Sequence, residues 1–104
     1  MIEFLPLEYV NYLKSLDKLY AETTIDIDIE FEPLDKIKSF NKDIEIEVYA
    51  KGFYAFACDG GNEAFVFDRE GKIYLLPLIG MSPNSSEKIA ESWNEFLKNV
   101  LIQA

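Results

Sequence analysis

Between Ile25 and Glu32 apolar and acidic residues alternate without a break: Ile-Asp-Ile-Asp-Ile-Glu-Phe-Glu. Successive side chains of a strand point to opposite faces. The run therefore predicts a strand with Ile25, Ile27, Ile29 and Phe31 toward the core and Asp26, Asp28, Glu30 and Glu32 on the other face. Pro33 ends it, because proline has no amide to give to a ladder. Asp43 to Tyr49 alternates again and predicts a second acidic strand, with Ile44, Ile46 and Val48 inward and Glu45 and Glu47 outward. Upstream, Leu5, Tyr9, Tyr12, Leu13 and Leu16 recur at helical spacing and predict a helix over 6–16 that frays by Tyr20. Pro6 suits its first turn, where no backbone donor is needed. Leu34, Ile37 and Phe40, three apart, predict a short helix or turn.

From Gly52 the pattern becomes aromatic. Phe53–Ala57, Glu63–Asp68 and Lys72–Leu76 read as three strands of a meander, turned at Asp59-Gly60-Gly61-Asn62 and at Arg69-Glu70-Gly71. Gly80 to Ser85 reads as a loop, and Ser85 or Ser86 can cap a last helix. That helix would bury Ile89, Trp93, Phe96, Leu97, Val100 and Leu101, with Lys88, Glu91, Asn94, Glu95 and Lys98 on its wet side. No linker or low-complexity tract interrupts the order. The expectation is one α+β domain over residues 1–104: an antiparallel-rich sheet packed with an N-terminal and a C-terminal helix.

Composition narrows the function classes. A chain of 104 residues has room for one ordinary domain, and 49% hydrophobic with 14% aromatic residues supplies a core, so disorder is not expected. No apolar run approaches the ~20 residues needed to span a bilayer, and no membrane role is expected. Met1 leads into Ile2-Glu3-Phe4-Leu5-Pro6 with neither a basic segment nor a small-residue cleavage site. The single cysteine, Cys58, has no internal disulfide partner. These features together predict a cytoplasmic protein. The net charge of -9, from 10 basic and 19 acidic residues, argues against direct nucleic-acid binding and suits a basic protein partner.

Candidate chemistry is sparse. The chain has no histidine, the commonest general base and metal ligand. Asp59 beside Cys58 disfavours a thiolate, so the cysteine is assigned to packing. The alternating carboxylates lack the glycine and polar turn residues of a calcium loop. Two apart on a strand, they lie about 6.5–7 Å from one another, too far to gather one ion. Nor does a row of exposed acids raise one pKa as paired acid–base catalysis requires. Gly60-Gly61 is followed by neither Lys-Ser/Thr nor a helix, so it marks a turn and not a phosphate cradle. Trp93 and Phe96 read as core. No catalytic residue, cofactor or metal is expected, and the protein is not read as an enzyme.

Several short motifs occur in a telling order. They are Leu5-Pro6-Leu7-Glu8-Tyr9-Val10-Asn11-Tyr12-Leu13; then Gly52, Phe53, Phe56, Asp59, Gly60, Gly61 and Glu63; then Asp68, Gly71 and Tyr74; and finally Ser92-Trp93-Asn94-Glu95-Phe96-Leu97. This order resembles the SUKH superfamily of Smi/Knr-type domains, which includes bacterial toxin-immunity proteins and fungal cell-wall-assembly regulators. The chain departs from the family pattern at Asp17-Lys18-Leu19, where Asn-Gly-Gly is usual, and at Asn62, where a second glycine is common. The resemblance implies a binding protein: an immunity (antitoxin) protein that neutralises a cognate secreted toxin. The alternative is a regulatory or scaffold module of the cell-wall-assembly-regulator type. A toxin with a basic surface would meet acidic strands that imitate phosphate. The candidate partner-binding residues are thus Asp26, Asp28, Glu30, Glu32, Glu45 and Glu47, with Tyr49 and Tyr54 as aromatic anchors, on a monomer or weak homodimer.

Overall fold

The computed structural model describes residues 5–102. Within them lie strands β1 (Tyr20–Thr23), β2 (Asp28–Phe31), β3 (Tyr54–Cys58), β4 (Glu63–Phe67), β5 (Ile73–Pro77), β6 (Glu87–Ala90) and β7 (Leu101–Ile102). The helices are α1 (Leu7–Lys14), α2 (Ile37–Asp43), α3 (Ile46–Tyr49) and α4 (Trp93–Asn99). The strands join in one antiparallel sheet in the order β6-β5-β4-β3-β2-β1-β7. The α+β architecture, the meander and the N-terminal helix are as the sequence pattern predicts.

Each face of the sheet carries its own apolar cluster. On the first, α1 and α4 pack Tyr9, Leu13, Trp93 and Phe96 against Ile29, Phe31, Phe56, Phe65 and Phe67. Tyr9 is the hub, with ring centroids 4.9 Å from both Phe56 and Trp93 and 5.4 Å from Phe67. A bulge in β3 makes this possible. The β3–β4 register shifts between Ala55 and Ala57, so Phe56 and Ala57, though consecutive, both serve the first cluster. On the second face Ile46 and Ala50, one helical turn apart, cover Ala55, Ala64, Val66 and Leu76.

Asn41, on α2, completes β3. The β2–β3 ladder has only the pairs Glu30↔Cys58 and Phe31↔Ala57, extended by the Glu32 N–H donating to Phe56 O at 3.1 Å. Pro33 then diverts the chain. The fully buried Asn41 carboxamide bonds the next residue of β3 as a strand would. Its Oδ1 accepts the Ala55 N–H at 2.6 Å, and its Nδ2 donates to Ala55 O at 2.7 Å and to Ile37 O at 2.9 Å.

Three expectations are corrected. The alternating run is not one strand from Ile25: β2 begins at Asp28, and the residues before it turn back from β1. There Asp26 adopts φ 65°, and the Thr23 hydroxyl donates to Ile27 O. Ile25 and Ile27 still rest against the first cluster, so their inward sense survives although the strand does not. The second acidic strand is instead the end of α2 and all of α3, joined through Glu45 at φ 56°. Period-two burial fails there, since Ile46 is fully buried but Val48 is 70% exposed. Tertiary demand overrides the local pattern, because the sheet's second face needs a cover. Last, the C-terminal helix starts at Trp93 and not at Ser86. Residues 87–90 form β6, Leu101 belongs to β7, and the cap is Ser92, whose Oγ accepts the Glu95 N–H at 3.1 Å.

Candidate partner-binding face

The cover on the second face is incomplete. Helices α2 and α3 lie over β3–β5, while the register carries the same face onward past them. Ala64 pairs with Cys58, Cys58 with Glu30, and Glu30 with Tyr20; Asp28 pairs with Glu22. Tyr20, Glu22, Asp28 and Glu30 therefore share an open stretch of sheet, and all four are exposed.

Glu22 sits directly opposite Asp28, an arrangement that destabilises an antiparallel pair. Tyr20 donates its hydroxyl to the Asp28 carboxylate, and that bond pushes the phenol pKa up to about 12. The bond holds an aromatic ring among the acids. Glu30 leans over the β3–β4 turn: a Cβ on Gly60 would stand 2.1 Å from Glu30 Oε2, and Gly60 has φ 81°. Glycine is the residue that satisfies both conditions. The turn itself is fixed by Asp59, whose Oδ1 accepts the N–H groups of Gly61 at 2.8 Å and Glu63 at 3.1 Å.

The charges segregate. Among the described residues no basic side chain pairs with Glu22, Asp28, Glu30 or Glu32. Ion pairs gather at the opposite edge instead, with Lys88–Glu91 at 2.5 Å and Lys72–Glu70 at 3.5 Å. The half-buried Cys58 lies beside the acids. Burial pushes its thiol pKa up, and Glu30, Glu32 and Asp59 push it further, against a lowering hydrogen bond from the Gly60 backbone. Such a thiol is a poor nucleophile. No three His, Cys, Asp or Glu side chains converge as a metal site among the described residues. No described helix is long and apolar enough to cross a membrane.

Glu32 and Glu63 make folding more favourable as the pH falls toward 5. Burial, then Glu30, raises Glu32 above its ordinary 4.5; burial, then Asp59 and Glu87, raises Glu63 in the same direction. A carboxyl with a raised folded pKa favours folding while protonated. That contribution is complete below 4.5 and is lost as pH rises through the raised values. The melting temperature should therefore climb as pH falls from 7 toward 5, and the climb should be smaller in Glu32→Gln/Glu63→Gln. Equal slopes in the two proteins would contradict it.

The structure divides the residues singled out from sequence. Asp28 and Glu30 stand together on the open face, half-buried Glu32 follows them, and exposed Asp26 occupies the β1–β2 turn. Glu45, Glu47 and Tyr49 lie apart, on the α2–α3 segment. Tyr54 is 3% exposed within the first cluster and offers no ring to a partner, which corrects its assignment as an anchor. Periodicity does not single out Tyr20 and Glu22, because the expected helix frays into them. The signal was there in Tyr-Ala-Glu-Thr, four residues whose outward positions match those of β2 across a turn.

A seven-stranded antiparallel sheet with helices packed on both faces defines an α+β domain. The chain belongs to the SMI1 / KNR4 family (SUKH-1), whose model matches residues 4–99. The family comprises immunity proteins and regulatory modules, and its members work in general through protein–protein interaction. No curated protein matches the chain.

Proposed function

We propose that this protein is an immunity protein that binds and neutralises a cognate bacterial toxin in the cytoplasm, and that Tyr20, Glu22, Asp28 and Glu30 meet a basic surface of that toxin. The observation that carries this reading is the row of carboxylates on β1 and β2, with which no basic side chain among the described residues pairs. Opposed like charges cost the isolated protein some stability, and a basic partner would relieve that cost on binding. Such a face speeds encounter and selects partners by charge, while Tyr20 supplies a ring already held in place.

The test uses the product of the gene directly upstream in the native host, expressed in a growth assay as the candidate toxin. Wild-type protein should rescue growth of cells expressing it. The Glu22→Gln/Asp28→Asn/Glu30→Gln variant should associate about tenfold more slowly at low salt, with a flatter salt dependence and a smaller change in dissociation. Its melting temperature should equal or exceed that of wild type, because the lost charges repel one another. Equal association rates at every salt concentration would move recognition off this face. The family match supports a regulatory or scaffold module as well. Absent growth rescue, together with a stable complex with a housekeeping protein, would favour that reading.

A further inference from the structure

A second surface shares no residue with the acidic sheet face. Where α2 passes into α3, the chain and the segment after β5 enclose an open groove of about 640 Å³. Ile44, Leu78 and Met81 line it as apolar, half-buried walls; Tyr49 stands at it 52% exposed; Asp43 and Glu45 supply its charge. Two further apolar side chains adjoin these lining residues in the chain and are exposed, Val48 at 70% and Ile79 at 78%. Isolated exposed hydrophobics are ordinary, but here Tyr49 lines a concavity with apolar walls, and Val48 and Ile79 are chain neighbours of its lining residues Tyr49 and Leu78.

We propose that this groove docks a segment of another protein that presents an apolar side chain flanked by lysine or arginine. Apolar walls call for the first element and the two carboxylates for the second, and the lining holds no basic side chain. Charge also selects against a second copy of this chain as the occupant. Self-association would bring one net charge of -9 onto another, with Asp43 and Glu45 on both sides of the contact. The walls suit a segment that is not rigidly matched in advance, since Met81 is unbranched and adapts its shape. An apolar face entering a groove between acidic flanks is a recurrent mode of peptide recognition.

The probe is a capped twelve-residue amphipathic peptide of leucine and lysine, titrated into the ¹⁵N-labelled full chain. Its control carries serine in place of every leucine. Saturable amide shifts should appear at Val48, Tyr49, Ile79 and Met81, and the serine peptide should bind at least tenfold more weakly. Ile79→Asp, at an exposed position that should leave melting unchanged, should cost tenfold or more in affinity. Asp43→Asn/Glu45→Gln keeps the apolar walls and should lower both affinity and its salt dependence. The β1–β2 triple variant should bind the peptide within twofold of wild type. Shifts confined to β1 and β2, equal binding of both peptides, or an unchanged Kd in Ile79→Asp would each overturn the proposal. So would a concentration-dependent dimer in sedimentation that Ile79→Asp abolishes, which would give the groove to a second copy.

Discussion

Asn41→Ala should lower stability by about 3 kcal/mol, although the side chain it removes is polar and sits on a seven-residue helix. The substitution strands the N–H and the C=O of Ala55, bonded by the carboxamide at 2.6 and 2.7 Å. A buried backbone group left without a partner costs about 1–3 kcal/mol, and Asn41 is fully buried, so water does not readily replace it. For a domain of this size the melting temperature should fall by on the order of 15 °C. Asn41→Asp separates this account from simple loss of volume. Its carboxylate can accept the Ala55 N–H but faces the carbonyls of Ala55 and Ile37 with nothing to donate. That variant should recover stability as pH falls and the acid gains a proton, whereas Asn41→Ala should not. Urea denaturation across pH checks both, and a loss below 0.5 kcal/mol for Asn41→Ala would refute the strand-completing role.

Trp93→Ala should be more damaging still. The indole is 3% exposed, with centroid distances of 4.9 Å to Tyr9, 5.2 Å to Tyr12 and 5.3 Å to Phe96. It ties α4 to α1 across the first cluster. Truncating a buried tryptophan to alanine costs about 3–5 kcal/mol, a large share of the roughly 5–15 kcal/mol that holds a domain together. The variant should be partly unfolded at 37 °C, while Trp93→Phe, which refills most of the space, should keep a cooperative transition. Circular dichroism and fluorescence melts measure this. A melting temperature within a few degrees of wild type for Trp93→Ala would show that the two helices are held by something else.

Most of the first face was legible in the chain. Tyr9 and Leu13, then Phe65 and Phe67, repeat at the spacing of the element they occupy, and periodicity is sufficient to place them. What stayed hidden depends on partners far away in sequence. Ile44-Glu45-Ile46-Glu47-Val48 alternates as a strand would. It folds as helix because Ile46 and Ala50 must meet Val66 and Leu76, a contact that no local window contains. Ala57 should face the second cluster by strict alternation from Tyr54, and only the bulge, set by pairing with β4, puts it on the first face beside Phe56. The acidic face was half legible for the same reason. Asp28 and Glu30 announce themselves by alternation. Tyr20 and Glu22 acquire meaning only once β1 is known to lie beside β2, and Tyr54 sits on the inner side of a register that its aromatic neighbours do not reveal.

The β1–β7 ladder bears on how the protein responds to tension. It holds two pairs, Glu22↔Ile102 and Thr23↔Leu101, and the outer one lies where the chain leaves β7. Tension applied at Ile102 and directed away from β1, across the strands, loads that outer rung first and opens the ladder rung by rung. Only α4 follows, and its detachment withdraws Trp93 and Phe96 from the aromatic cluster. A motor that pulled from this side would meet the two-pair ladder first and the aromatic core after it. Traction of this kind would test a short edge ladder, with the Thr24 N–H donating to Val100 O at 2.8 Å behind it, before it reaches the rings.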